Sequence, residues 1–366
     1  MLRYLTAGET HGPQLTAILE GLPSGITIKK EFINTELAKR QKGYGRGGRM
    51  LIEKDQIEIL SGLVKGKTTG APLALVVKNK DWENWENKKI ESITVPRPGH
   101  ADYAGFVKYK LNNIRSVLER ASARETAIRT AIGAVAKQFL EEFNIKIFSF
   151  VCQIGSAKSS VSLSDWTAKY KQIEESDVRS LGNEKAMRSV IDKAIKEKNT
   201  VGGVFEIVVK NVPIGLGSYV HWDRKLDANL TRALMSIQAI KGVGIGDGFN
   251  VASLYGSEVH DEIFYNKAKG YYRKTNRAGG IEGGMSNGED IVLKAAMKPI
   301  PTLMQPLHSV DMKTKKSSAT FKERSDVCAV PAASVVSENV VAFEIAREFL
   351  LKFSGDSLRD IKKQVK

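Results

Sequence analysis

The chain has 366 residues, of which 42% are hydrophobic, and carries a formal net charge of +15. This length and apolar content suffice for a large core and exclude an intrinsically disordered protein. No stretch reaches the roughly 20 uninterrupted apolar residues of a membrane span, and the start MLRYLTAGETHG lacks the layout of a signal peptide. Cys152 and Cys328 form no CxxC pair, so neither a disulfide framework nor a thiolate zinc site is indicated. We therefore expect a soluble, cytoplasmic protein whose positive charge favours an anionic partner, either nucleic acid or a phosphorylated small molecule.

Alternating apolar residues predict strands in the first half of the chain. Residues 2–8 and 14–20 are expected to be strands around the turn GETHGP. Residues 57–63 and 71–78 are expected to form a hairpin joined by KGKTTG, and a further strand is expected at 203–212. The chain should therefore begin as antiparallel β-structure.

Apolar residues at helical spacing predict four helices. The clearest begins at Ser122, where SARE matches a capping box and apolar residues then recur with helical period as far as Phe143. The others are expected at 183–198, at about 226–240 and at about 333–353. Since no linker, low-complexity tract or clear repeat divides the chain, we expect one domain over residues 1–366.

Two loops carry arginine in a setting that suits an anionic ligand. GYGRGGR at 43–49 follows Arg40, and its glycines let backbone N–H groups approach an anion while its arginines pair with phosphate or carboxylate oxygens. PRPGHAD at 96–102 sets Arg97 beside His100, which combines charge neutralisation with a proton donor suited to a leaving phosphate. An ordinary surface loop is the alternative reading of each.

A third motif, RASARET at 120–126, coincides with the predicted helix start. The N–H groups and dipole of a helix N-terminus attract phosphate or a flavin anion. A capping role for Ser122 and Glu125 is the alternative, and both roles are compatible.

Two further motifs lie in the last quarter of the chain. GGIEGGMSNG at 279–288 is followed by KPIPT at 298–302, and its glycine density indicates backbone close to a flat or charged group. Because it lacks GxGxxG spacing and a Walker lysine, a Rossmann or P-loop enzyme is disfavoured. RSDVCAVP at 324–331 sets a cation beside a carboxylate, which is also typical of a plain salt bridge.

Together these motifs identify a family. GETHG, the arginine loop, RPGHAD, RASARET, GGIEGGMSNG and RSDVCAVP resemble chorismate synthase signatures in that family's order, and they span residues 8–332. The resemblance implies an α+β fold, a β-α-β sandwich with helices between antiparallel sheets, assembled as a homotetramer. It implies an anti-1,4-elimination of the 3-phosphate and a C6 hydrogen from 5-enolpyruvylshikimate 3-phosphate to give chorismate, the last common step of aromatic amino acid biosynthesis. Reduced FMN is required, although the overall reaction is redox neutral, and either NADPH or a separate flavin reductase would supply the electrons.

The resemblance also implies residue roles. His11 would act on the protonation of the reduced flavin, His100 would protonate the departing phosphate, and Asp326 would assist proton transfer at flavin N5. Substrate phosphate and carboxylates would be bound by Arg40, Arg46, Arg49, Arg97, Arg124 and Arg324. FMN would be bound by Arg120, Ala121, Ser122, Gln238, Ala239, Gly283, Lys298, Pro299, Ile300, Pro301, Thr302 and Arg324.

Other features of the resemblance concern NADPH, metals and one departure from the family pattern. Arg40 and Arg46 would also contact NADPH, and no metal is implied. Thr10 stands where the family usually has the serine of GESHG, which keeps a hydroxyl but adds a methyl group. The remaining histidines are expected to be structural: His221, His260 and His308.

Two functions of other classes remain as alternatives. A basic RNA-binding protein would account for the net charge and the YGRGGR loop, but the chain has no RNP, KH or zinc-finger signature. A flavoprotein oxidoreductase is the second alternative, and it would be recognised by NADPH turnover without phosphate release.

Overall fold

The fold is described by a computed structural model that covers residues 1–47, 54–88, 91–159, 161, 169–321 and 325–365. Within these ranges the strands are β1 Arg3–Ala7, β2 Gln14–Glu20, β3 Ile57–Ile59, β4 Leu63–Val64, β5 Lys67–Thr68, β6 Leu73–Lys78, β7 Lys146–Ile154, β8 Ala157–Lys158, β9 Gly203–Lys210, β10 Ile240–Ile245, β11 Ile263–Asn266, β12 Gly270–Arg273, β13 Ile281–Glu282, β14 Met285–Ser286, β15 Ile291–Met297, β16 His308–Val310 and β17 Ser317–Ala319. The α-helices are α1 Lys30–Gln41, α2 Asp102–Lys108, α3 Arg115–Ala121, α4 Thr126–Glu141, α5 Tyr170–Glu175, α6 Glu184–Lys196, α7 Leu226–Met235, α8 Gly256–Val259, α9 Val330–Lys352 and α10 Leu358–Gln364.

One outer layer of the molecule is a four-stranded antiparallel sheet in the order β1-β2-β6-β3. The alternation seen in β2 places Leu15, Ala17 and Leu19 on the buried face, as a half-buried strand requires. The expected strands at 2–8 and 14–20 are therefore confirmed.

The opposite layer is a five-stranded antiparallel sheet in the order β10-β15-β9-β7-β8. Its central strand β9 pairs with β15 on one side and β7 on the other, and most of its residues are buried. The strand expected at 203–212 is confirmed, with its end two residues earlier.

Helices fill the space between the two sheets. Helix α4 packs against β2 and β6 of one sheet and β7 of the other, while α9 crosses α4 and lies on β7 and β9. The result is an α+β sandwich with helices between antiparallel sheets, as the family resemblance implied. One hydrophobic core joins both sheets and these helices, and its members range from Leu2 to Ile361.

Close contact between α4 and α9 depends on a glycine. A Cβ added at Gly133 would lie 2.2 Å from the carbonyl oxygen of Asn339. No side chain fits at that distance, so Gly133 lets the two central helices cross at close range.

Ion pairs within the sandwich also connect the central helices. The ammonium of Lys137 on α4 contacts Glu36 of α1 at 2.6 Å and Glu338 of α9 at 2.7 Å. Arg179 contacts the second oxygen of Glu338 at 2.7 Å. All four side chains are at least 89% buried, so each charge has a partner at hydrogen-bond distance, as buried charges require.

Several boundaries differ from the sequence predictions. The expected hairpin of 57–63 and 71–78 does pair as β3 with β6, but a second small hairpin, β4–β5, is inserted between them. The helix expected at 226–240 ends at Met235, because the next residues form a turn with Ala239 at φ +68° that leads directly into β10. The last long helix begins at Val330 rather than 333, with Pro331 in its first turn, where the missing N–H costs nothing.

The helix predicted to begin at Ser122 needs a larger correction. Ser122 caps a short 3-10 turn, with its hydroxyl accepting from the Arg124 N–H at 3.3 Å, and α4 begins only at Thr126. Glu125 accepts from the Thr6 hydroxyl at 3.1 Å and so does not complete a capping box. Arg120 lies in the last turn of the preceding helix α3, not at a helix N-terminus.

Within the described residues, no helix is both long enough and apolar enough to cross a bilayer.

Candidate active site

The turn between β1 and β2 holds the GETHG motif against helix α3. Gly8 has φ +113°, and a Cβ there would meet the Gln14 carbonyl oxygen at 2.4 Å, so the turn requires glycine. The backbone N–H and the hydroxyl of Thr10 both donate to the carbonyl of Glu119, at 3.2 and 2.9 Å. The hydroxyl that Thr10 shares with serine is thus used to fix this turn.

His11 is held by a carboxylate and an aromatic ring. Its Nδ1 lies 2.8 Å from Glu119 Oε1, and its backbone N–H donates to Glu119 Oε2 at 2.8 Å. The imidazole stacks on Trp85 with ring centroids 4.0 Å apart. Burial acts to raise the pKa of Glu119, but the hydrogen bonds from His11 and the nearby Arg115 outweigh it, so the pKa is lowered.

Two of the predicted substrate arginines share one buried carboxylate. Arg124 donates through Nη1 to both oxygens of Asp55, at 2.7 and 2.8 Å, and through Nε to Asn79 Oδ1 at 2.8 Å. Arg40 donates to the Thr126 hydroxyl at 2.9 Å and lies 3.5 Å from Asp55 Oδ2. Burial lowers the pKa of Arg40 to about 10; the Asp55 charge opposes this effect and the neighbouring Arg124 adds to it.

The glycine–arginine loop meets the segment before α9. Arg46 contacts Asp326 Oδ2 at 2.7 Å, and the backbone N–H of Gly47 donates to Asp326 Oδ1 at 2.7 Å. The Val327 N–H donates to the Gly45 carbonyl at 2.8 Å. Gly45 has φ +84°, and a Cβ there would approach a side-chain methyl group of Ile191 to 2.9 Å, so glycine is required for this contact.

The RPGHAD motif folds into a compact group around Asp102. Asp102 Oδ1 lies 2.5 Å from His100 Nδ1, and Asp102 Oδ2 accepts from the Arg97 backbone N–H at 3.0 Å and from Arg97 Nε at 2.8 Å. Arg97 also donates to the Thr302 hydroxyl at 2.8 Å. The ammonium of Lys298 donates to the Gly99 carbonyl at 2.8 Å, so the KPIPT segment lies against this motif.

Hydrogen bonds and ion pairs connect these groups into two sets. The side-chain amide of Asn79 donates to the Gly12 carbonyl at 2.7 Å and accepts from Arg124, which links the His11 turn to the arginine pair. The Ser325 hydroxyl donates to the Thr302 carbonyl at 2.8 Å, which links the Asp326 segment to Arg97. The first set thus contains His11, Arg124 and Arg40, and the second contains Arg46, Asp326, Thr302, Arg97 and His100. The two sets are neighbours, because the charges of Arg46 and Asp326 both act on the pKa of Arg40.

The predicted FMN residues are only partly brought together. Lys298 donates its backbone N–H to Ala239 at 2.9 Å, and Arg129 of α4 donates to the Ser236 hydroxyl at 2.7 Å, so residues 236–239 lie between KPIPT and α4. Arg120 donates to the Thr6 hydroxyl at 3.0 Å. Gly283 lies in the β13–β14 turn beside the start of α7, at the opposite end of that helix from Gln238.

One of the predicted FMN residues has a buried oxygen that lacks a hydrogen-bond donor. This atom is Gln238 Oε1, which has no hydrogen-bond partner among the described residues. A bound group with an N–H donor would satisfy it, and Lys298 nearby offers a positive charge for an anion. Burial lowers the pKa of Lys298, and Lys241 adds to this effect.

Some predicted residues lie elsewhere. Arg49 and Arg324 fall outside the described residues. His221 pairs with Asp223 at 2.6 Å on the exposed surface, and His308 contacts Ser317. Within the described ranges, no group of three or more His, Cys, Asp or Glu side chains is arranged to hold a metal ion.

Sequence reasoning missed the partners of these side chains, which are Asp55, Asn79, Trp85 and Glu119. Each is far from its partner in the chain, as Glu119 is 108 residues from His11. No local spacing pattern marks such pairs, because only the tertiary fold brings them together.

The fold is an α+β sandwich, and its candidate site combines four arginines with two histidines that each contact a carboxylate. The sequence also matches a family model described as chorismate synthase over residues 2–350. The chain belongs to the chorismate synthase family, and it is a carbon–oxygen lyase that acts on a phosphate.

Individual relatives agree over nearly the whole chain. Chorismate synthase from Geotalea uraniireducens (strain Rf4) is 55% identical over 99% of this chain and 97% of the relative. That from Caldanaerobacter subterraneus subsp. tengcongensis is 56% identical with the same coverage. A crystal structure of chorismate synthase, 43% identical, superposes with a TM-score of 0.82 over 99% of this chain and 96% of the other.

Proposed function

We propose that this chain converts 5-enolpyruvylshikimate 3-phosphate into chorismate and inorganic phosphate with the help of bound reduced FMN. The observation that carries the proposal is a pair of neighbouring hydrogen-bonded sets, one around His11 and Asp55 and the other around Asp326 and Asp102. Their members come from six separate motifs and bring together four arginines and two histidines.

Departure of phosphate is the step that the arginines assist. When the C3–O bond breaks, its electron pair leaves with the phosphate, and negative charge builds up on that group. The described part of the site has five cations, four arginines and Lys298, against four carboxylates, those of Asp55, Asp102, Glu119 and Asp326, so a positive excess of one remains. Fixed cations in a buried site stabilise such a charge without reorganising, and His100 would donate a proton to the departing phosphate.

Loss of the C6 hydrogen is the harder half of the reaction. That carbon has no neighbouring carbonyl to acidify it, so a protein base alone would act slowly. Reduced FMN, when bound, supplies the electron density that the protein lacks. In this proposal His11 would act on the protonation of the reduced flavin. Asp326, which is fixed by Arg46 and Gly47, would assist proton transfer at flavin N5.

The residues near KPIPT suit a flavin. The buried amide oxygen of Gln238 would accept from a ring N–H, and Lys298 and Arg120 would contact anionic parts of the cofactor. Ala121, Ser122, Ala239 and the remaining residues of 298–302 would supply further contacts, as would Gly283, whose backbone has open space around it.

Assembly, location and electron supply complete the proposal. The chain would act as a single-domain protomer of a cytoplasmic homotetramer, and either NADPH, bound at Arg40 and Arg46, or a separate reductase would reduce the flavin. A large core whose members run from Leu2 to Ile361 supports one domain.

The first experiment is an anaerobic assay with dithionite-reduced FMN and 5-enolpyruvylshikimate 3-phosphate. Chorismate absorbance and released phosphate are followed together, with oxidised FMN as the control. We expect equal amounts of both products with reduced FMN and neither with oxidised FMN. In a second assay with NADPH in place of dithionite, NADPH oxidation without phosphate release would instead establish a flavoprotein oxidoreductase. In a separate binding test, salt-sensitive retention of RNA would favour a nucleic-acid-binding protein.

A further inference from the structure

Glu119 contacts the turn that carries His11 through both its side chain and its main chain. One carboxylate oxygen lies 2.8 Å from the His11 ring Nδ1, and the other accepts the His11 backbone N–H at 2.8 Å. Its main-chain carbonyl accepts the N–H and the hydroxyl of Thr10. The side chains of His11 and Glu119 are only 10% and 12% exposed, so water competes little for these bonds.

The chemistry of this contact fixes which nitrogen of His11 carries a hydrogen. An ionised carboxylate has no hydrogen to donate and can only accept, so a neutral imidazole facing it must be protonated on Nδ1. The ring can then act on a bound group only through its other nitrogen, Nε2. A carboxylate behind a histidine is the arrangement that orients imidazoles in other active sites.

A second contact fixes the plane of the ring. Trp85 stacks on His11 with an interplanar angle of 30°, and the Trp85 indole N–H donates to Asp81 at 3.1 Å. The guanidinium of Arg115 lies 5.2 Å from the Trp85 ring and 3.6 Å from Glu119 Oε1. The hydrogen bond sets the rotation of the imidazole in its plane, and the stacking sets the tilt.

From these contacts we propose that Glu119 is a positioning residue for His11, one that holds Nδ1 as the donor and thereby makes Nε2 the nitrogen through which His11 would act. This proposal rests on the proposed function for the role of His11, but the tautomer of His11 is independent of it. The hydrogen bond that connects α3 to the turn does not depend on the Glu119 side chain, because Thr10 donates to the main-chain carbonyl of Glu119. A substitution of the Glu119 side chain therefore leaves this connection in place.

The test compares Glu119→Gln, Glu119→Asp and Glu125→Gln in the full chain. Glutamine keeps the size of the side chain but adds an amide that can donate to Nδ1. Aspartate keeps the carboxylate on a shorter arm. Glu125→Gln is the matched control, because Glu125 also ties β1 to this region, through Thr6, and contacts no histidine in the described structure.

The first readout is the ¹⁵N magic-angle-spinning spectrum of protein labelled on histidine, recorded at a pH where the ring is neutral. The chain has five histidines, and the His11 signals are those that disappear in His11→Gln. We expect a single Nδ1–H form in the wild type and in Glu125→Gln, a population of the Nε2–H form in Glu119→Gln, and a return toward one form in Glu119→Asp. An unchanged tautomer in Glu119→Gln would overturn the proposal.

The second readout separates kcat from KM in the anaerobic assay. Loss of a residue that orients a proton-transferring group lowers kcat by about tenfold to a hundredfold, and KM should change by less than about threefold. Glu119→Asp should recover part of kcat. Equal losses in Glu119→Gln and Glu125→Gln would mean a general structural role and would also overturn the proposal. If the wild type makes no chorismate, the proposed function fails, while the spectrum still decides whether Glu119 positions His11.

Discussion

Replacing Asp102 by asparagine should destabilise the protein by about 3–5 kcal/mol, the range measured when one partner of a buried ion pair is removed. Asp102 is fully buried and Arg97 is 6% exposed, so neither can recover its interactions from water. Both Asp102 oxygens accept from Arg97, and one of them also contacts His100. An asparagine can accept through only one atom, so its amide must face a donor and the Arg97 charge loses its partner.

The destabilisation caused by Asp102→Asn should become smaller as the pH falls. Burial acts to raise the pKa of Asp102, but the hydrogen bonds from His100 and Arg97 outweigh it and hold the pKa well below its usual value. A carboxylate whose pKa is depressed in the folded state stabilises the fold above its unfolded pKa, about 3.9, and this stabilisation is lost as the pH falls through the folded pKa. The difference in unfolding free energy between wild type and Asp102→Asn should therefore be full above about pH 5 and shrink below about pH 4.

Urea unfolding at several pH values measures this difference, and Asp223→Asn is the matched control. Asp223 contacts His221 at 2.6 Å with the same two-residue spacing, but both side chains are more than half exposed. The control variant should unfold like the wild type, because exposed ion pairs contribute little. Equal effects of the two substitutions, or an Asp102→Asn effect that does not diminish in acid, would refute the assignment of this stability to burial and pairing.

Three further predictions concern the site and the thiols. Arg46→Ala should raise the KM for substrate in steady-state kinetics by about tenfold to a hundredfold, because a charge-assisted hydrogen bond of about 1.5–3 kcal/mol is lost. Arg46→Lys should restore only part of the wild-type KM, because lysine lacks the planar fork of the guanidinium group. Asp326→Asn should slow turnover while nearly sparing substrate affinity, because the asparagine carbonyl can still accept from Gly47; normal turnover would show that Asp326 has no part in proton transfer. Burial raises the pKa of Cys328 to about 12, so this thiol should not react with a charged disulfide reagent in native protein at about pH 8. It should react only after unfolding, and mass spectrometry would detect the modification.

The periodic elements were the most predictable part of the fold. The strands at β1, β2 and β9 and the helix at α6 follow from alternation or helical spacing of apolar residues, and they occur where these patterns place them. The errors fall at ends and caps. One example is the helix expected to begin at Ser122: this residue caps a 3-10 turn instead, and Glu125 bonds to Thr6 across the fold rather than completing a capping box.

The candidate site shows the same division. The motifs that carry His11, Arg46, His100 and Asp326 are visible in the sequence, since glycine, arginine and histidine in short runs have a local chemical meaning. Their partners have no such local signal. Asp55 faces Arg124 from 69 residues away, and nothing in either segment marks the pair.

The sequence by itself determined the family, the types of reactive side chain and the elements whose amphipathic pattern is strong, because these depend on residues close together in the chain. Only the tertiary structure decided which carboxylate holds each histidine and which arginines share a counter-ion. Those choices arise when two sheets close over α4 and α9 and bury charges that must then be paired, and the cost of an unpaired buried charge acts between segments that are distant in sequence.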